Sequence, residues 1–214
     1  VEHNVVTTQV EPHDWIAETC HALIRVNNIV NDLNNDMWMY IANDIFILKT
    51  IKDEVGSSTM PHKVNPIDFE NSEGNIGLAN SMLNFFAEKL PISRLQRDLS
   101  DSTTLRNIGV AFAYSVISYK STLKGLQKIT PNKNKINEEL DNNWIVLSEA
   151  VQTIMRLENI ENAYEKLKDL TRGKNLNKEQ YLEFIENLDI TQKNKDYLKS
   201  LNPRNYIGVA PKLK

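Results

Sequence analysis

Cysteine occurs once in this 214-residue chain, at Cys20. A lone thiol excludes an internal disulfide and a cysteine-based zinc cluster, and it fits a reducing compartment, so the expected location is cytoplasmic. Glycine and proline are scarce, at seven residues each. That scarcity argues against a turn-rich sandwich or barrel and for long helices. No apolar run approaches the roughly 20 residues that a membrane-spanning helix needs, and no basic segment precedes an apolar one at the start. Charge of one sign is lacking too. The net charge of −3 gives no field for nucleic acid or a membrane surface, so neither partner is expected and any anion site must be built from a few placed cations. The chain opens on Val1 rather than Met and reads as a piece of a longer protein.

What is present is helical periodicity. A first helix is predicted from about Pro12 to the mid-forties, with an apolar stripe of Ile16, Cys20, Leu23, Val30, Leu33, Met37 and Ile41. Pro12 suits its first turn, where a missing N–H costs nothing. Asn27, Asn28, Asn31, Asn34 and Asn35 fall between these positions and read as solvated. A second helix starts at Asn65 as cap and Pro66 as first residue, with Asp68 and Glu70 at the positive end of its dipole. Leu78, Met82, Phe85, Phe86 and Leu90 form its stripe, and Pro91 ends it. A third helix opens around Asp98–Ser102 and runs through Leu105, Ile108, Phe112, Val116, Tyr119, Leu123 and Leu126. Pattern and composition shift near Thr130-Pro131. Shorter helices then follow near 134–141, 145–157, 161–170, 178–187 and 191–200. The reading is an all-α chain: a long-helix bundle over 1–128, then a smaller all-helical domain over 129–214. No alternating strand pattern stands out. Trp15, Trp38 and Trp144 read as packing residues, and His13 and His21 lack a third partner for a metal, so no metal or cofactor is expected.

Chemistry concentrates in Gly56-Ser57-Ser58-Thr59-Met60-Pro61-His62-Lys63-Val64-Asn65-Pro66. This hydroxyl-rich connector delivers a lysine and an asparagine to a helix start. Backbone amides, the helix dipole and Lys63 together suit carboxylates. A serine near such positive potential has its alkoxide form favoured. An isolated Ser-Ser pair would be an inert polar connector. The whole string, however, resembles the signature of the fumarase/aspartase superfamily, Ser-Ser-x-Met-Pro-x-Lys-x-Asn-Pro. Within it, Thr7-Thr8-Gln9-Val10-Glu11-Pro12-His13-Asp14, the stretch from Arg97 to Arg106 and Asn205-Tyr206-Ile207-Gly208 resemble the bacterial adenylosuccinate lyases.

The resemblance implies an all-helical homotetramer whose sites combine residues of several subunits. It implies elimination of fumarate from a succinylated purine nucleotide. Ser57 matches the base that takes the Cβ proton, with Ser58 beside it. Lys63 and Asn65 match residues that hold carboxylates. Glu70 matches an acid that orients a neighbouring subunit's histidine. Gln9 and Asn71 match substrate contacts. Arg97, Ser102 and Arg106 match contacts to the nucleotide and its phosphate, with Thr103 and Thr104 alongside. Removing a proton next to a carboxylate builds a second negative charge, so donors must be aimed there in advance. Without the signature, Arg97 and Arg106 would read as surface ion-pair partners of Asp98 or Asp101. The family's general acid is a histidine upstream of Thr7, and this chain has no candidate, so the chain alone is expected to be inactive. Another lyase of the superfamily, such as argininosuccinate lyase or fumarase, and a non-catalytic structural relative remain the alternatives.

Overall fold

The computed structural model describes residues 3, 5–49, 65–163, 165, 167–168 and 176–213. Ser57, Ser58 and Lys63 lie outside the described residues, as do residues 164, 166, 169 and 170 of the helix expected near 161–170. The chain is mostly helical and divides into two compact units, Val1–Pro131 and Asn132–Lys214.

In the first unit, α1 (Asp14–Ala42), α2 (Ile67–Lys89) and α4 (Ile108–Lys128) form a bundle in which α2 lies against both others. A 3-10 turn at Arg94–Gln96 and the short α3 (Ser100–Leu105) join α2 to α4. The expected continuous third helix is therefore interrupted at Arg106–Asn107. Two other helix starts also differ from expectation. Pro12 precedes α1 rather than lying in its first turn, because His13 takes a left-handed conformation (φ 56°) immediately before Asp14. Pro66, not Asn65, occupies the capping position of α2, with no side-chain cap bond. Two three-residue strands, β1 (Phe46–Leu48) and β2 (Ile129–Pro131), pair antiparallel, with Ile47 opposite Thr130. Periodicity gave no sign of them, since three residues are too few to show alternation. Their pairing carries the first unit through Pro131.

The bundle interior changes character along its length. One end is apolar: Ile16, Ala17 and Cys20 pack with Ala79, Leu83, Phe86, Ala87, Leu90 and Ala111. Burial pushes the Cys20 thiol pKa up, which leaves it unreactive. The middle is polar. Asn27 and Asn34 are buried, not solvated. Asn34 Nδ2 donates to Ser72 Oγ at 2.8 Å, and Thr122 Oγ1 donates to Asn34 Oδ1 at 2.8 Å. The two hydroxyls lie 2.8 Å apart, so Ser72 can donate to Thr122 and close a ring. Each of the three groups then gives and takes one bond, which satisfies them in the interior. Two turns of α1 away, Asn27 Nδ2 donates to Asn80 Oδ1 at 2.8 Å and to Ser115 Oγ at 3.1 Å, and Asn27 Oδ1 accepts from Tyr119.

These polar seams overturn several expected stripes. α4 turns Ala111, Ser115, Ser118, Thr122 and Gly125 inward, steps of four and three. Phe112, Val116 and Leu123 consequently face outward, as do Leu33 on α1 and Leu78 and Phe85 on α2. Small residues let the helix backbones approach closely: a Cβ placed on Gly125 would lie 2.8 Å from the ring tip of Phe69. Trp15 and Trp38 are exposed rather than packed in the core.

The second unit contains α5 (Lys133–Asp141), a 3-10 turn at Trp144–Leu147, α6 (Ser148–Leu157), α7 (Lys178–Glu186) and α8 (Gln192–Ser200). Its core joins Leu147, Val151, Met155, Tyr181, Ile185 and Leu198. Trp144 packs on the Tyr181 ring at 5.5 Å, and the Tyr181 hydroxyl donates to the Leu198 carbonyl at 2.8 Å. Asn177 and Gln180 form a reciprocal capping box that starts α7.

Glu158, just after α6, ties down the start of α8. One carboxylate oxygen accepts from Thr191 Oγ1 at 2.6 Å, Asn194 Nδ2 at 2.6 Å and Thr191 N at 3.2 Å. These bonds, the threonine hydroxyl first, hold its pKa below the ordinary glutamate value. A depressed acid contributes stability that is present above the unfolded value, about 4.3, and lost as pH falls through the folded one. Glu158→Gln is therefore expected to lower the Tm at neutral pH by a margin that shrinks below about pH 4. A margin that held constant through that acid range would show that the charge is not what matters.

Candidate active-site residues at the two ends of the bundle

Asn65, Glu70 and Asn71 gather where α2 begins, beside the end of α4. The Asn71 amide donates to Ser121 Oγ at 3.0 Å, and Ser121 in turn donates to the main-chain carbonyl of Asp68 at 2.7 Å. Glu70 is exposed, and its Oε1 accepts from the indole N–H of Trp38 on α1 at 3.1 Å. One bond from a neutral donor fixes the carboxylate's direction and leaves its second oxygen open to a basic partner. Asp68, on the inner face, pairs with Lys128 and lies 3.2 Å from the Lys124 ammonium.

A second group collects at the far end of α2. The segment carrying Gln9 runs along residues 96–101: Val10 N donates to the Gln96 carbonyl at 3.2 Å, and His13 Nε2 meets Asp101 Oδ2 at 2.8 Å. Gln9 is thereby held beside the stretch that carries Arg97 and Ser102. Ser102, Thr103 and Thr104 lie in α3, and Arg106 follows it with helical backbone angles, so Ser102 and Arg106 keep one face. Thr103 and Thr104 also line a groove of about 410 Å³ with Ser81, Met82, Phe85, Phe86 and Asn107.

The acids nearest the arginines in sequence are committed elsewhere. Asp98 accepts from the Ser100 hydroxyl (2.6 Å) and amide (3.0 Å), and from the Arg94 amide (2.7 Å) and Nε (3.1 Å). These bonds, the Ser100 hydroxyl first, hold its carboxyl far below the usual range. Asp101 is likewise depressed, chiefly by its bond from His13, whose other ring nitrogen lies against Glu11. Among the described residues, Arg97 and Arg106 make no ion pair and are exposed.

The two groups lie at different levels of α2. Asn71 is in its second turn, whereas Thr103 and Thr104 share their groove with Ser81, which at 1.5 Å per residue is about 15 Å further along. Sequence reasoning missed His13, Asp101, Trp38, Asp68 and Lys128. Each acts through a partner distant in sequence, which leaves no local signal. Among the described residues, no cluster of His, Cys, Asp and Glu could hold a metal, and no helix is long and apolar enough to cross a membrane.

Comparison with known proteins gives this arrangement a family. Residues 93–207 match the family model described as adenylosuccinate lyase C-terminal, more than half of the chain. The chain belongs to the adenylosuccinate lyase C-terminal family. A second model, described as lyase, matches residues 1–79 and so covers the α1–α2 region. An adenylosuccinate lyase of Buchnera aphidicola (subspecies Schizaphis graminum) is 57% identical over 210 residues, which is 98% of this chain and 46% of that protein. The adenylosuccinate lyase of Escherichia coli K12 is 54% identical over the same shares of both chains. That of Vibrio cholerae serotype O1 is 54% identical over 213 residues, 100% of this chain and 47% of that protein. The chain spans about half the length of the curated relatives it matches. The adenylosuccinate lyase family match covers Arg97, Ser102 and Arg106, and the broader lyase match covers Gln9, Asn65, Glu70 and Asn71.

Proposed function

We propose that the intact protein is an adenylosuccinate lyase. It eliminates fumarate from adenylosuccinate to leave AMP and, by the same chemistry, from the succinylated imidazole carboxamide ribotide of purine synthesis. The carrying observation is the 57% identity to a protein of that name across 98% of the chain. In the proposed step Ser57 takes the Cβ proton, the C–N bond breaks, and the leaving nitrogen receives a proton from a histidine outside this chain. Lys63 and Asn65 hold the carboxylate charge that develops, and Asn71 and Gln9 contact substrate. Arg97, Ser102 and Arg106, with Thr103 and Thr104, receive the nucleotide and its phosphate. Two exposed guanidinium groups whose neighbouring acids are already paired suit an anion.

We further propose a cytoplasmic homotetramer. The first unit would be its part of the central bundle, and Glu70 would orient a histidine of a neighbouring subunit. The offset of the two groups along α2, about 15 Å from Asn71 to the Ser81 level, supports a site that draws them from different copies. The outward apolar residues of α1 and α4 offer surface for such contacts.

A spectrophotometric assay of adenylosuccinate cleavage tests the activity, and absence of cleavage would remove it. AMP, but not arginine or malate, is expected to raise the Tm of the intact enzyme. Arg106→Ala should weaken AMP binding by about 10–100-fold, the worth of a charge-assisted bond to phosphate, while fumarate binding changes little. Equal losses for both ligands, measured by titration calorimetry, would contradict the phosphate role.

A further inference from the structure

Lys128, the last residue of α4, is only 6% exposed, although it is a lysine. Its main-chain carbonyl accepts from Lys49 N at 2.8 Å, one rung beyond the β1–β2 ladder. Its ammonium donates to Asp68 Oδ2 in the first turn of α2. The other oxygen of that carboxylate faces Lys124 at 3.2 Å, so both oxygens are engaged and the group cannot rotate freely. The same turn of α2 is held again through Ser121, which bonds the Asp68 carbonyl and the Asn71 amide. One residue thus grips the chain on both sides of residues 50–64: by backbone at Lys49, before them, and by side chain at Asp68, after them.

A buried ion pair is a costly way to gain stability, since apolar residues of similar volume serve as well or better. Its advantage is direction. A charge-assisted bond between fixed partners sets one helix against another in a way that sliding apolar contacts do not. We propose that Lys128 and Asp68 form a positioning pair for the elimination reaction, fixing where the chain leaves the bundle before Ser57 and Lys63 and where it rejoins at Asn65. This rests on the lyase reading above. The pair touches no substrate. It acts through the placement of the residues that do, and small displacements of reacting groups cost rate more than affinity.

The test uses the intact enzyme with Lys128→Met, Lys128→Arg and the pair Asp68→Asn with Lys128→Met. Lys128→Met is expected to lower kcat by about tenfold or more with KM for adenylosuccinate changed by less than about threefold. The paired variant, which leaves no buried charge at residue 68, should recover the Tm but not kcat. Lys128→Arg, which keeps the charge, should recover part of kcat. Recovery of kcat together with the Tm in the paired variant would make the pair merely structural and overturn the proposal. So would an unchanged kcat in Lys128→Met. Trypsin cleavage after Lys52 and Lys63, followed by mass spectrometry, reads the same grip without catalysis. It should accelerate several-fold in both Met variants, and unchanged cleavage would also overturn the proposal. If the wild-type enzyme fails to cleave adenylosuccinate, the lyase reading falls, while the trypsin comparison still decides whether the pair holds the two stems.

Discussion

Ser57→Ala is expected to lower kcat for adenylosuccinate cleavage by about 10²–10⁴-fold, the usual contribution of a positioned general base. Binding of AMP should be unchanged, because the hydroxyl is needed for proton removal and not for holding the nucleotide. A hydrogen on the carbon next to a carboxylate is weakly acidic. A serine can remove it only where positive potential favours its alkoxide and where the second negative charge of the product carbanion is met by donors already in place. In the proposed function, Lys63 and the start of α2 would supply that potential. Since the lost interaction exists only in the transition state, kcat and kcat/KM should fall together. Steady-state kinetics with a calorimetric Kd for AMP make the check. A variant that kept most of its turnover would show that the base lies elsewhere, and with it would go the central chemical assignment.

Gly125→Val is expected to destabilise the first unit by about 1–3 kcal/mol, in the range of overpacked cores. Any Cβ at this position meets Phe69 at 2.8 Å, and the ring is buried against its surroundings with little room to yield. Phe69 is in the first turn of α2, between Asp68 and Glu70. Pushing the ring away therefore shifts the turn that carries Glu70, for which a role in orienting a neighbouring histidine is proposed, and turnover should decline along with stability. Gly77→Ala is the control. An added carbon there meets nothing within 4 Å, so replacing a mid-helix glycine should be neutral or stabilising by up to about 1 kcal/mol. Thermal melts of the two variants give the comparison. Equal Tm shifts would mean that close approach at Gly125 does not matter.

The long helices were legible because apolar residues recur at helical spacing, and the chain is mostly helical as expected. Which face packs inward was not legible in α4. Ala111, Ser115, Ser118, Thr122 and Gly125 carry little hydrophobicity, so their regular spacing was outweighed by Phe112, Val116 and Leu123 on the opposite side. The same bias made Asn27 and Asn34 look solvated. An asparagine is buried when partners meet its amide, and those partners, Ser72, Ser115 and Thr122, come from other helices. The break after α3 was missed because no proline or glycine marks Arg106–Asn107. The proposed site residues Gln9, Asn65, Glu70, Asn71 and the Arg97–Arg106 stretch come from resemblance alone, because they are embedded in contiguous strings. Supporting residues were not legible. His13 and Asp101 are 88 positions apart, and Asp68 and Lys128 are 60 apart, so only the fold pairs them.

The closed ring of Asn34, Ser72 and Thr122 also bears on how this sequence can drift. Altering any one member strands the other two in a dry interior, whereas exchanging all three for apolar side chains of matching size leaves nothing stranded. Viable routes away from the present trio pass through weakened single-step ancestors, so these positions are tied into one heritable block although they sit on three separate helices.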